Sequence, residues 1–333
     1  MPPKPATRLP PLLECVPNVS AGRDADLVEA LTGVILGVEG VDLLHRDRGV
    51  DADRTVFTFA GPPAPVTEAA RRLARAARDR IDLRAYAGTH PFVGALDVCP
   101  FVPLFGLSPK HALQAAQELA RYSAHELGVP VYLYEHSATR PRYRSLAAVR
   151  RGGLAAVAAR AGELGPDLGA EAHPTAGVTV TGARDLLVAF NVNLADDDPA
   201  LAREVARRIR TAGPPRRAGA LPALRAIGWR QEAMGRAQVS CNLLDYRRAG
   251  LGEVYAAVRR EARALGSDAA GSEPIGLVPA DALTHSLTAL GAEASGDVEV
   301  DVARAGALLG LGAVRPWVPE ERVLEWVVAG RVR

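Results

Sequence analysis

A histidine in a predicted loop, His90, is the side chain of this sequence best suited to proton transfer at neutral pH. The segment Thr89-His90-Pro91 follows a predicted helix and precedes an apolar run from residue 95. A rigid scaffold would therefore present the imidazole to a cleft. With an ordinary pKa near ~6.5, an imidazole can both accept and donate a proton. The alternative is a solvated or hydrogen-bonded histidine without a chemical role, which is the commoner situation for a histidine in a loop.

Asp47, in the segment LLHRDRG, is a carboxylate for which two interpretations stay open. It could stabilise a cationic group and, if it lies close to an imidazole, raise the basicity of that imidazole. It could equally be a turn residue before Gly49, a position that Asp often fills.

Two further sets of polar residues are candidates for binding. Guanidinium groups at strand ends or adjoining loops could bind carboxylates in a bidentate manner, although each could instead be a surface arginine: Arg46, Arg48, Arg54, Arg184 and Arg230. Amide side chains within strand-like runs either satisfy buried backbone groups or line a cleft: Asn18, Asn191, Asn193, Gln238 and Asn242.

The elements that position these residues follow one order twice. In the first half we predict a strand at 12–16, a helix at 24–36, strands at 41–44 and 54–60, a helix at 66–80 and a strand at 95–104. In the second half we predict a strand at 185–194, a helix at 199–210, strands at 224–233 and 238–244, a helix at 252–265 and a strand at 274–279. Two βαββαβ copies predict an α+β fold of two ferredoxin-like lobes packed together.

The remaining segments complete the predicted domain organisation. Residues 1–11 are rich in proline and are expected to be a disordered leader, followed by subdomains at 12–183 and 184–333. Between the two copies we predict a helix at 108–127, a strand at 130–134 and an irregular connector at 165–182. After residue 281 we expect a helix, a Val/Glu alternation at 297–302 and a terminal helix at 319–328.

Composition narrows the class of protein. The 40 basic and 38 acidic residues are interspersed, so nothing in the charge pattern calls for nucleic acid. Cys15, Cys99 and Cys241 show neither zinc spacing nor a disulfide framework, which fits a reducing cytoplasm. No apolar run approaches the ~18 residues of a membrane span. A metal hydrolase built on His45, His90, His111 or His125 is a weaker alternative, because their spacing forms no recognised ligand set, and we expect no metal.

Several motifs, in order along nearly the whole chain, resemble the glutamate formimidoyltransferase family. They include ECVPNVSAGR at 14–23, DRTVFTFAGPP at 53–63, GTHPFVGALDVCPFVP at 88–103 and GWRQEAMGRAQVSCNLLDY at 228–246. The resemblance implies transfer of a formimidoyl, or alternatively formyl, group between formimidoylglutamate and tetrahydrofolate, a step of histidine breakdown and one-carbon metabolism. It also implies a homodimer with tetrahydrofolate as co-substrate.

Roles for individual residues follow from the same resemblance. The family's catalytic histidine matches His90, and Asp47 is its expected electrostatic partner. The folate-binding loop matches the segment GAEAHPTAG, which consists of Gly169, Ala170, Glu171, Ala172, His173, Pro174, Thr175, Ala176 and Gly177.

The chain departs from the family pattern beside the histidine. Where members commonly read GEHPRMGA, this chain has Thr89 and Phe92, so two charges are lost. Glu171 and His173 depart from the usual folate loop. These changes leave the amino-acid specificity open and motivate an alternative function, a folate-binding paralogue that lacks glutamate transfer or uses another acceptor.

Overall fold

The structure is a computed structural model that describes residues 9–86, 91–160, 162–211 and 219–331. It divides into two compact units, with the boundary between Arg184 and Asp185. The predicted catalytic residue His90 and residues 1–8 of the predicted leader lie outside the described residues. Within the described ranges, no helix combines the length and apolar character needed to cross a bilayer.

The first unit combines short strands with three long helices. Its elements in chain order are β1 (Leu12–Cys15), β2 (Asn18–Val19), α1 (Ala25–Leu36), β3 (Asp42–Gly49), β4 (Arg54–Gly61), α2 (Pro63–Arg80), β5 (Leu96–Leu104), α3 (Pro109–His125), β6 (Val131–Leu133), α4 (Leu146–Val149), α5 (Gly153–Ala158) and β7 (Thr179–Ala183). Side-chain oxygens cap two of the helices: Asp24 accepts from the amide of Leu27 before α1, and Ser108 accepts from the amide of Lys110 before α3.

The described strands of this unit form one sheet. Across it the order is β3, β4, then β1 with β2, then β5, β7 and β6. Both β1 and β2 pair with β4 and β5, so they form one strand interrupted at Pro17. Proline has no amide hydrogen to continue the ladder, which explains the interruption. Among the elements of the βαββαβ segment, the spatial order of strands is second, third, first, fourth.

The prediction of an irregular connector at 165–182 is wrong for the last residues of that segment. Residues 179–183 form β7, which lies between β5 and β6 and is parallel to both. Thr179, Val180 and Thr181 are β-branched and buried, which favours an interior strand. Gly182 is required there, because a Cβ atom would overlap the carbonyl oxygen of Tyr134.

Both faces of this sheet are covered, but by different material. Helices α1, α2 and α3 pack on one face, where Phe57, Phe59 and Phe101 are fully buried. On part of the other face, Val98, Tyr132 and Val180 pack against side chains of the segment 143–157. The segment between β6 and β7 therefore covers part of the sheet face that lies opposite the three helices.

The second unit contains the elements β8 (Val188–Leu194), α6 (Pro199–Ile209), β9 (Leu224–Gln231), β10 (Arg236–Leu243), α7 (Leu251–Arg263), β11 (Ala269–Ile275), α8 (Ala280–Thr284), α9 (Ser286–Ala289), α10 (Val298–Leu308), α11 (Pro319–Arg322) and α12 (Leu324–Arg331). Its antiparallel sheet has the order β11, β8, β10, β9. The architecture of the chain is thus α+β with two sheets.

Two predicted boundaries in the second unit need correction. The last strand of its βαββαβ segment begins at Ala269 and ends at Ile275, earlier than the predicted 274–279. The Val/Glu alternation at 297–302 belongs to helix α10. Asp297 caps that helix, since its Oδ1 accepts from the amides of Glu299 and Val300 at 2.9 and 3.2 Å.

Candidate active site in the first unit

The residues on either side of the segment 87–90 are held at the start of β4. The hydroxyl of Tyr86 donates to the carbonyl oxygens of Ala52 and Asp53, at 2.8 and 2.9 Å. The rings of Tyr86 and Phe92 are in contact, with centroids 4.2 Å apart. The two ends of the predicted catalytic loop are therefore fixed to each other and to β4.

A buried group of two arginines and one aspartate, here called the arginine–aspartate cluster, joins the same region. It consists of Arg54 from β4, Asp97 from β5 and Arg150, which follows α4. The Nη2 atoms of both arginines contact Oδ2 of Asp97. The other oxygen, Oδ1, accepts from the amide of Val93 at 2.8 Å. Arg54 also donates through Nη1 to the carbonyl of Pro91 at 3.4 Å, so the cluster is bonded directly to the residues that follow His90.

Burial decides the electrostatics of the cluster. Asp97 is fully buried, and the side chains of Arg54 and Arg150 are 6% and 15% exposed. The pKa of Arg54 is lowered to about 10, mainly because the side chain is buried, while Asp97 opposes this shift and the nearby Arg150 adds to it. Because this pKa is still well above 7, Arg54 carries its charge at neutral pH. The three side chains together carry two positive charges and one negative charge.

The predicted folate-binding loop, residues 169–177, packs against both flanks of the same segment. The amide of Leu83 donates to the carbonyl oxygen of Thr175 at 2.8 Å, and the amide of Ala95 donates to the carbonyl oxygen of Ala176 at 2.9 Å. Gly94 and Gly177 form a β-bridge. A Cβ atom on Gly94 would overlap the carbonyl oxygen of Val178, so glycine is needed for this approach. Two segments that sequence reasoning placed in separate loops are therefore joined by their backbones.

His173 fixes the conformation of that loop. Its Nδ1 accepts from the amides of Thr175 and Ala176 at 3.3 and 3.1 Å, and its backbone pairs in both directions with Gly177. Partial burial lowers the pKa of His173, and the charge of Arg78 lowers it further. An Nδ1 that accepts hydrogen bonds is unprotonated, so the imidazole is neutral with its proton on Nε2.

Asp47 lies inside β3, which corrects the interpretation of this residue as a turn residue. It is paired with Val56 of β4, and Val56 is also paired with Asn18. Directly paired residues share a sheet face, so Asp47, Asn18 and Arg54 lie on one face. Oδ2 of Asp47 is buried without a hydrogen-bond partner in the part of the chain that the structure describes. Its predicted partner, His90, lies outside the described ranges.

Glu14 is a titratable residue on this same face to which sequence reasoning gave no role. It is paired with Ala60 of β4 and is 2% exposed. Its Oε2 has no hydrogen-bond partner among the described residues. Burial raises the pKa of Glu14 to about 7, against the opposing charge of Arg184. Ala60 lies six positions after Arg54 on β4, roughly 20 Å along the strand, so Glu14 lies apart from the arginine–aspartate cluster. The sequence did carry a signal for this residue, because Glu14 is a single acidic residue within the apolar run LLECV.

The other predicted arginines have different environments. Arg46 pairs with Glu29 at 2.7 Å, and Arg48 donates to the carbonyl of Gly22 at 2.6 Å. Arg230 pairs with Asp197 and Glu232 at the surface of the second unit. Of the predicted asparagines, Asn18 does join the site, since its Oδ1 accepts from Nε of Arg54 at 3.0 Å.

Two of the predicted amides of the second unit, Asn193 and Gln238, belong to a hydrogen-bond network on one face of its sheet. Nε2 of Gln238 donates to Asn193 at 2.9 Å, to Gln231 at 3.1 Å and to Glu273 at 2.9 Å. Nε1 of Trp229 donates to Oε1 of Gln238 at 3.1 Å. Within the described ranges of both units, no group of three or more His, Cys, Asp or Glu side chains is arranged to hold a metal ion.

Comparison with known proteins gives matches over nearly all of the described chain. Residues 12–184 match the N-terminal subdomain of the formiminotransferase domain, and residues 189–329 match the formiminotransferase domain. A glutamate formimidoyltransferase of Streptococcus pyogenes serotype M1 is 38% identical over 275 residues, which are 82% of this chain and 90% of that protein. A glutamate formimidoyltransferase of Thermoplasma acidophilum is 35% identical over 276 residues, 82% of this chain and 89% of that protein.

A longer relative matches as well. The formimidoyltransferase-cyclodeaminase of Rattus norvegicus is 38% identical over 328 residues, which are 95% of this chain. This chain spans 60% of the length of that relative.

Proposed function

Because the chain belongs to the formiminotransferase family, we propose that it is a glutamate formimidoyltransferase. It would move a formimidoyl group between N-formimidoyl-L-glutamate and tetrahydrofolate, in histidine degradation and one-carbon metabolism. Two relatives of that name, each matched over about nine-tenths of its length, support this activity.

The observation that carries the proposal is the meeting of three features in the first unit. The flanks of the segment with His90, the loop 169–177 and the arginine–aspartate cluster are bonded to one another through residues 91–95. Such a site offers a proton carrier, a loop for a pterin and positive charge for carboxylates within one region.

The chemistry assigns a role to each of these groups. N5 of tetrahydrofolate attacks the formimidoyl carbon, a new C–N bond forms, and the bond from that carbon to the glutamate nitrogen breaks. One nitrogen must lose a proton while the other gains one, and the imidazole of His90 would carry out both transfers. Because the protonated amidine is cationic, the carboxylate of Asp47 would stabilise it. The loop from Gly169 to Gly177 would hold the folate.

The proposal extends to architecture and assembly. The second-third-first-fourth strand order recurs in both units, which supports two ferredoxin-like lobes that arose by internal duplication, at residues 12–183 and 184–333. We further propose a cytoplasmic homodimer.

A coupled assay with formimidoylglutamate and tetrahydrofolate tests the activity. The His90→Ala variant should lose transfer while it still binds tetrahydrofolate, because the imidazole carries the proton and does not hold the pterin. The exposed His125 at the end of α3 provides the matched control, and His125→Ala should retain wild-type turnover. Near wild-type turnover in the His90 variant would reject this mechanism.

A second candidate function is folate binding without transfer to glutamate. It is favoured by Phe92, whose ring packs on Tyr86 and brings no charge to the site. Calorimetry that detects tetrahydrofolate binding, together with no formimidoyl or formyl transfer to any amino acid, would support this function over the first.

A further inference from the structure

The arginine–aspartate cluster holds more positive than negative charge in a nearly water-free place. Arg54, Asp97 and Arg150 together have a formal charge of +1, and the most exposed of the three side chains, that of Arg150, is only 15% exposed. Buried charges are stabilised when they are paired. A second carboxylate, arriving with a ligand, would give two positive and two negative charges.

The two arginines differ in how far their hydrogen-bonding capacity is used. Arg54 donates to Asn18 through Nε, to Pro91 through Nη1 and to Asp97 through Nη2. Arg150 contacts Asp97 through Nη2, while its Nε is buried and has no hydrogen-bond partner in the described part of the chain. Arg150 therefore retains donors for a further acceptor.

We propose that Arg150 binds the side-chain carboxylate of the amino-acid substrate and so determines the preference for a dicarboxylic amino acid. This inference rests on the proposed function and deepens it. Asp97 is then a positioning residue, because it contacts Arg150 and, through the amide of Val93, the segment that follows His90.

The backbone around Arg150 is fixed before any ligand arrives. The amide of Arg150 donates to the carbonyl of Leu146 at 2.9 Å. Arg160 donates to the carbonyls of Val149 and Arg151, the residues on either side, at 2.6 Å in both cases. Because the guanidinium is also held by Asp97, it loses little conformational entropy when it binds a carboxylate.

Because residue 92 is a phenylalanine, the positive charge that binds the substrate carboxylate must come from a more distant part of the chain. The side chain beside the predicted catalytic loop is aromatic and packs against Tyr86, so it cannot bind an anion. Arg150 lies 53 residues further along the chain than Asp97 and reaches the same region from the segment that covers the sheet.

Steady-state kinetics of Arg150→Ala and Arg150→Lys provide the test, with formimidoylglutamate and the neutral analogue formimidoylglutamine as alternative substrates. In Arg150→Ala the KM for formimidoylglutamate should rise by about tenfold or more, the loss of one charge-assisted contact. The KM for formimidoylglutamine, the KM for tetrahydrofolate and kcat should change little. Arg150→Lys should restore part of the loss. The control is Arg144→Ala, an exposed arginine of the same segment, which should match the wild type.

Calorimetry with L-glutamate separates this inference from the proposed activity. If the wild type transfers no formimidoyl group but binds L-glutamate about tenfold more tightly than Arg150→Ala, the subsite stands and the activity fails. An increase in the KM for tetrahydrofolate alone would assign Arg150 to the folate carboxylates and overturn the proposal. So would equal losses with both amino-acid substrates, or wild-type protein that does not bind L-glutamate. If Arg150→Ala does not fold, the lysine variant is judged by the same comparison of substrates.

Discussion

The two sheets have the same strand order in their βαββαβ segments, yet their polar faces differ in kind. The face of the first sheet that carries Glu14 and Arg54, here called the first polar face, holds charged side chains. The corresponding face of the second sheet, the second polar face, holds mostly neutral amides around Gln238. On these two faces, the buried atoms without a hydrogen-bond partner among the described residues belong to carboxyl groups on the first face, Oε2 of Glu14 and Oδ2 of Asp47, and to a neutral amide on the second, Nδ2 of Asn193. On the second, one glutamine bonds to three acceptors.

This is the difference expected between a ligand-binding site and a network that only supports the fold. A buried amide that is hydrogen-bonded is neutral to modestly stabilising, whereas a buried charge or an unsatisfied carboxyl is destabilising. The first polar face therefore lowers stability, as active sites commonly do. The second polar face is expected to matter for folding and not for chemistry. Each of the following measurements tests that contrast.

The largest effect is expected for Asp97→Asn. The substitution leaves the buried guanidinium groups of Arg54 and Arg150 without their shared carboxylate, and breaking a buried ion pair in this way costs about 3–5 kcal/mol of unfolding free energy. Denaturant unfolding measures the loss. Glu68→Gln is the control, because that carboxylate is 40% exposed where it pairs with Arg72 and should lose less than ~1 kcal/mol. A change below ~1 kcal/mol in Asp97→Asn would contradict a charged, tightly coupled first polar face.

Glu14→Gln should give the next largest effect, and it should depend on pH. The folded-state pKa of Glu14 is about 7, above its ordinary value of 4.5. The carboxyl group therefore carries no penalty below its unfolded pKa, and the wild type loses stability as the pH rises through 7. Glutamine does not ionise, so the variant should gain up to ~3 kcal/mol over the wild type at about pH 8 and almost nothing near pH 4.

Unfolding free energies of wild type and Glu14→Gln at both pH values measure this gain. Glu126→Gln, at an exposed position after α3, should show no comparable change between the two conditions. A Glu14→Gln gain of equal size at both pH values would indicate altered packing and not the removal of a buried charge.

Gln238→Leu tests the second polar face. Removal of the glutamine leaves Asn193, Gln231 and Glu273 with one partner fewer in a buried network, at a cost of about 1–3 kcal/mol. We expect the KM for both substrates and kcat to stay within about twofold of the wild type. Asn242→Leu, at an exposed position on the same strand, should change stability by less. A large increase in one KM would show that the second polar face contacts a ligand, and the contrast between the faces would then fail.

The sequence predicted the order of elements well because that order depends on local periodicity. The errors have nonlocal causes. β3 continues to Gly49 because β4 supplies backbone hydrogen bonds, whatever the polarity of the HRDR segment. β7 was missed among glycines and prolines, since its stability comes from parallel pairing with β5, about 80 residues away.

The site was predictable in part for the same reason. Asn18 was predicted because an amide stands out in a strand-like run, and Arg54 because it lies at a strand end; Asp97, a charged residue within ALDVCP, carries the first of these signals. Arg150 could not be found, because nothing in an arginine-rich segment indicates which guanidinium reaches a carboxylate 53 residues away. The contact of the loop 169–177 with residues 93–95 is likewise a product of tertiary structure.

The smallest effect concerns His173, and it tests whether the first unit responds to mild acid near the loop 169–177. Its folded pKa is lowered, so the contribution of its neutral form to stability is complete above ~6.5 and is lost as the pH falls through the folded value. Protonation of Nδ1, with Arg78 and Asp79 nearby, breaks the bonds to Thr175 and Ala176. Amide hydrogen exchange at these two positions, corrected for intrinsic rates, should show severalfold less protection at about pH 5 than at about pH 7.5, which corresponds to ~0.5–1 kcal/mol. His173→Ala should abolish the difference and His125→Ala should preserve it, whereas equal protection of the wild type at both pH values would mean that another contact holds the loop.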